Sequence, residues 1–99
     1  MMQRVRVADL PDQQLSIRTE DRRLTLRLRL NPLNDRWSFD MAVDDDWVIF
    51  GRRIVPGTDL LAAFDDLSVG MILAHETSPT AEPNRAGLVN GHVELYHVA

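Results

Sequence analysis

The sequence has no cysteine and no lysine, and aromatic residues make up only 6% of it. Without cysteine there is no disulfide, no thiolate zinc site and no thiol nucleophile. Without lysine, Schiff-base chemistry and a phosphate-cradling P-loop are excluded. No stretch reaches the ~18 apolar residues that cross a bilayer, and no basic segment followed by an apolar one stands at the N-terminus. The expectation is a soluble protein with no membrane partner and no export signal. A small domain without disulfides often gains stability by associating with other chains.

What is present suits one globular domain over residues 1–99, with 44% hydrophobic and 26% charged residues. A chain of this length buries about 60–65% of its unfolded surface, which permits one modest core. Fifteen acidic residues against eleven basic ones give a net charge of −4. That balance argues against nucleic acid as a partner unless positive charge gathers on one face. All eleven basic residues are arginine. A GC-rich coding sequence produces this bias, and so does an interface-rich surface, because the guanidinium fork suits carboxylate pairing and burial between chains.

The pattern along the chain is β. Residues 4–8 alternate polar and apolar, Pro11 interrupts, and residues 15–19 alternate again. Over residues 22–30, Leu24, Leu26, Leu28 and Leu30 share one face of a strand, and Arg23, Thr25, Arg27 and Arg29 share the other. Period-two alternation of that length defines a half-buried strand, since a helix would scatter the leucines around its circumference. Residues 31–35 form a turn cluster, and Trp37, Phe39, Met41 and Val43 then take one face of the next strand. Asp44, Asp45 and Asp46 make a tight loop, and residues 47–55 return as a strand that ends at Pro56 and Gly57.

Leu60, Leu61, Phe64 and Leu67 fall at helical spacing behind a capping Thr58 or Asp59. A short strand is expected over 71–75, a flexible Pro-rich loop over 76–87, and a last strand over 89–98. The expected fold is therefore all-β: a small β-barrel or sandwich of six to seven short antiparallel strands, with one short helix near residues 59–67.

Catalytic chemistry finds no foothold. The three aspartates lack the alternate spacing, glycine and distal glutamate of an EF-hand loop, and read as a solvated hairpin tip, as a salt-bridging site for an arginine-bearing partner, or as a cation site that a partner completes. His92 and His97 point to opposite faces of a strand, and His75 has no metallohydrolase spacing around it. No serine stands in a G-x-S-x-G context, and the glycines are dispersed turn residues. The expectation is no enzyme activity, no metal and no cofactor.

The arginine stripe is the strongest lead. Arg23, Arg27 and Arg29 share an outward strand face with Arg18 and Arg22 nearby, and Arg52 and Arg53 form a second, smaller patch. The stripe reads as a solvated face paired with acidic neighbours, as a protein interface, or as a phosphate-binding surface. Single-stranded nucleic acid would call for aromatic rings beside it, whereas alternation assigns Trp37 and Phe39 to the core.

The order of these motifs resembles the baseplate plug family of contractile-tailed bacteriophages. The resemblance runs from residues 24–30 through the turn at 31–34 to Asp35, Arg36, Trp37, Ser38, Phe39 and Asp40. It continues through Trp47, Val48, Ile49, Phe50 and Gly51, then Ile54 to Leu61, Gly70 and Leu73, and closes at Leu95 and Tyr96. The family often carries a glycine at the hairpin tip, where this chain has three aspartates. The resemblance implies a structural virion protein at the centre of the tail baseplate, near the joint of tube and hub, that closes or stabilises the channel before contraction. It implies other baseplate, hub and tail-tube proteins as partners, several copies around a threefold or sixfold axis, and host cytoplasm as the place of assembly. The candidate interface residues are Arg23, Arg27, Arg29, Arg52, Arg53, Asp44, Asp45 and Asp46. The alternative is a small β-barrel binding module that offers its arginine face to nucleic acid or an acidic partner.

Overall fold

Alternating side chains need a sheet with one wet face and one dry face, and the chain builds two such sheets. The computed structural model describes residues 2–99. Its strands, in chain order, are β1 Met2–Val5, β2 Asp12–Arg18, β3 Arg23–Asn31, β4 Arg36–Val43, β5 Asp46–Arg53, β6 Met71–Glu76 and β7 Val93–Val98. Strands β2, β3, β4 and β5 form one antiparallel sheet in sequence order, and β1, β7 and β6 form a second in that order. Among the described residues no strand ladder joins the two, so the fold is an open sandwich and not a closed barrel. No helix among them is long and apolar enough to cross a membrane.

Period two decides which side chains meet between the sheets. Leu24, Leu26 and Leu28 of β3 stand beside Val43, Met41 and Phe39 of β4, and all six are buried. Val5, Ile72, Ala74, Val93 and Leu95 complete the core cluster from the other sheet. Full burial of one leucine contributes about 1.5–3 kcal/mol, so these rows hold the layers together. Buried Gln13 is satisfied: it accepts from the Ala8 amide at 2.9 Å and donates to the carbonyls of Ala8 and Leu10, each at 2.8 Å. His97, on the inward face of β7, is a packed core histidine with Nε2 2.6 Å from the Val69 carbonyl oxygen.

The helix expected near 59–67 is a 3-10 turn over Ala62–Leu67, broken at Phe64 (φ −127°). It starts late because Asp59 is already in use. Asp59 bridges to Leu73, and its carboxylate accepts from the Leu61 amide at 2.9 Å. The Leu60 amide likewise donates to the Ile72 carbonyl. Nearby, Gly70 holds φ +89° with its Cα facing the Val98 carbonyl, so a Cβ has no room there.

A second helix, α1 Arg85–Asn90, corrects the strand expected over 89–98, since Val89 is helical and β7 begins at Val93. It also takes in the end of the stretch read as loop over 76–87. Asn84 caps it by accepting from the Gly87 amide at 2.7 Å. The Asn84 carbonyl in turn accepts the indole N–H of fully buried Trp37 at 3.0 Å, which pins this segment to the core.

Candidate partner-binding face

The outer face of the four-stranded sheet is laid out in cross-strand rows. Asp12, Arg29, Ser38 and Arg53 form one row, and Gln14, Arg27 and Asp40 form the next. Ser16, Thr25, Ala42 and Trp47 form a third, and Arg18 faces Arg23 beyond it. The alternation that buries the leucines of β3 thus brings Arg23, Arg27 and Arg29 to one surface.

Each arginine of the stripe has an acidic neighbour. Arg27 Nε lies 3.6 Å from Asp12 Oδ1, and Arg29 Nη2 lies 3.7 Å from Asp40 Oδ2. Both contacts are long and both arginines are exposed, although the Asp40 side chain is only 15% exposed, and loose pairs of this kind contribute 0 to about 1 kcal/mol. Arg23 is bound more closely: its guanidinium pairs with Asp45, and its amide donates to Asp44 Oδ1 at 2.9 Å.

The aspartate tip is a structural device. Asp44 and Asp45 both hold positive φ (49° and 74°), the geometry of a two-residue type I′ hairpin turn, and aspartate tolerates it better than most residues. That answers the departure from glycine at the tip. Asp44 also lies 3.7 Å from Arg22, and Asp46 is the first residue of β5, paired with Val43. Among the described residues no three His, Asp or Glu side chains converge as a metal site.

The other arginine pair is split by the pleat. Arg52 stands opposite inward-facing Phe39, and its guanidinium sits 5.3 Å from the centre of the Phe64 ring. Arg53 faces outward in the row of Arg29. The eight candidate residues therefore do not form one patch. Arg27, Arg29 and Arg53 share the open face, Arg23 with Asp44 and Asp45 forms a self-contained corner, and Arg52 covers the 3-10 turn.

Two residues that sequence reasoning did not single out complete the face. Trp47 is 41% exposed and Phe50 69% exposed, and both line an open groove of about 510 Å³ with Arg27, Arg29, Asp40 and Gly51. Their position follows from irregularities in β5, where the register to β4 shifts on either side of Met41. A shift of one residue sends a side chain to the opposite face, so Trp47 stands outside while Ile49 is buried. Gly51 completes the distortion with φ +63°, and its amide donates to Asp40 Oδ1 at 2.7 Å. The signal was present: Trp47, Val48, Ile49 and Phe50 are too apolar in succession for one buried face, and a glycine inside a strand marks a bulge.

Residues 2–99, which include every residue of this face, match the family described as Cyanophage baseplate Pam3 plug gp18. The chain belongs to this baseplate plug family. No curated protein matches it. As a baseplate plug protein it is a structural component of the phage virion, located in the tail and associated with other baseplate proteins. The plug family is not an enzyme family, and an open face of arginine and aromatic side chains suits contact with another protein.

Proposed function

We propose that this protein plugs the tail channel at the centre of the baseplate, at the joint of tail tube and hub, and holds it closed until contraction. The observation that carries the reading is the match to the plug family across residues 2–99. Several copies sit around a threefold or sixfold axis, assembled in the host cytoplasm against hub and tail-tube proteins. The mechanism is mechanical. Many weak contacts around a ring add up to firm retention, and rearrangement of the hub on host attachment breaks them together. The arginines of the outer sheet face make those contacts, with Arg27 and Arg29 at their centre. The test is the mass of the purified protein, alone and mixed with the adjoining hub protein. A ring or a stable hub complex supports the reading, and a monomer indifferent to the hub contradicts it.

A second reading has one observation in its favour. Trp47 and Phe50 lie beside Arg27 and Arg29, and rings beside cations are what a single-stranded nucleic acid stacks on. Binding to an oligothymidylate that weakens steeply with salt would support it. The net charge of −4 and the Asp40 carboxylate inside the groove weigh against it.

A further inference from the structure

We infer that the groove between Trp47, Phe50, Arg27 and Arg29 seats an apolar segment with acidic flanks from a neighbouring baseplate protein. The inference deepens the plug reading and rests on it.

The side chains are those that dominate protein interfaces: Trp and Arg, with a second aromatic ring, around a shared depression. Trp47 stands opposite Ala42, which is small and 1% exposed although it faces outward, so the indole rests on a filled surface. Phe50 projects from the bulge that Gly51 and Asp40 hold in place through their 2.7 Å hydrogen bond. The backbone beneath Phe50 is thus fixed, so the segment has little backbone freedom to lose on binding, which favours affinity.

Charge identifies the flanks of the occupant. In the two rows beside the groove Arg27, Arg29 and Arg53 stand with Asp12 and Asp40, an excess of one positive charge on a chain of net charge −4. None of the three guanidinium groups donates a hydrogen bond among the described residues, and the two ion pairs stand at 3.6 and 3.7 Å. One Asp40 oxygen is occupied by the Gly51 amide. The open donors call for carboxylates, and the rings between them call for an apolar side chain.

Two other occupants fit this face poorly. A strand added along β5 would need a regular edge, and this edge carries register shifts and a glycine at positive φ. A second copy docked face to face would set one net-positive face against another, which like-charge repulsion opposes. The occupant is thus a different chain that contributes side chains.

The test uses assembled baseplates that contain the full-length protein. A photo-crosslinking p-benzoylphenylalanine is placed at position 50, and in a control at position 75, on the outer face of the other sheet. The expected result is a cross-link from position 50 to an acidic and apolar segment of another baseplate protein, and none to that segment from position 75. Alongside it, Phe50→Ala, which alters an exposed side chain, is expected to lower the protein's content per baseplate at least tenfold. Trp47→Ala is expected to act in the same direction. Cross-links to a second copy, to nucleic acid, or to nothing while the protein is present in baseplates overturn the inference and leave the plug reading standing. So does an unchanged content with Phe50→Ala. Absence of the unmodified protein from baseplates overturns the plug reading itself and this inference with it.

Discussion

Replacing Trp37 by alanine tests the packing logic of the whole sandwich at one position. Trp37 is fully buried, pairs with Leu30 across the sheet, and donates its indole N–H to the Asn84 carbonyl at 3.0 Å. Truncating a buried aromatic to alanine costs about 3–5 kcal/mol in transfer and cavity terms. Leaving the Asn84 carbonyl without its donor adds about 1 kcal/mol. The expected loss is therefore about 4–6 kcal/mol, a large share of the roughly 5–15 kcal/mol that a domain of this size possesses. With a urea dependence of about 2 kcal/mol per molar, the unfolding midpoint falls by about 2–3 M. Trp37→Phe separates the terms, since it keeps most of the apolar bulk and removes the donor, and it should cost about 1–2 kcal/mol. Urea unfolding followed by circular dichroism reads both variants. Hydrogen exchange should quicken over residues 84–90 in the phenylalanine variant, because the indole tethers that segment. A loss below ~1 kcal/mol for Trp37→Ala would refute the reasoning, because no buried ring of this size is that cheap to remove.

Three further outcomes are expected. Gly70→Ala should cost at least about 2 kcal/mol, since it combines strain at positive φ with a collision against the Val98 carbonyl, and a thermal shift equivalent to less than ~0.5 kcal/mol would contradict this. The sequence has a single tyrosine, Tyr96, and its hydroxyl donates to Glu94, so its absorbance titration should lie above the usual 10.0 and return towards it in Glu94→Gln. A raised value means that the fold favours the neutral phenol, so this contribution is present below the ordinary tyrosine value and is lost as pH rises through the folded one. Arg27→Ala and Arg29→Ala should each change stability by less than about 1 kcal/mol, because both arginines are exposed and their ion pairs are long. Reversing both charges should impair incorporation into baseplates while circular dichroism remains that of a folded chain. Normal assembly would remove the stripe from the interface.

Much of the fold was legible because alternation is a strong signal. The leucines of β3 and Trp37, Phe39, Met41 and Val43 of β4 lie inward as their spacing requires. The rest was set by contacts distant in sequence. Helix α1 is too short for a periodicity, and its capping Asn84 is anchored by a tryptophan 47 residues away. The 3-10 turn begins late because Asp59 pairs with β6, a partner that local spacing does not reveal. The arginine face was readable as a face with acidic neighbours, but the identity of those neighbours and its aromatic half were not. Trp47 reaches that face only through the bulges in β5, and an unbroken alternation would place it on the same side as Ile49. The family was visible in turn and core residues, since those are what the fold constrains, whereas the groove that meets a partner depends on how four strands align.

The most direct test of the central claim is electron cryomicroscopy of the virion baseplate before and after tail contraction. The account predicts density for this chain on the axis of the uncontracted baseplate, closing the channel, and its absence from the axis once the tail has contracted. Density at the periphery, or an axial channel open before contraction, would contradict it.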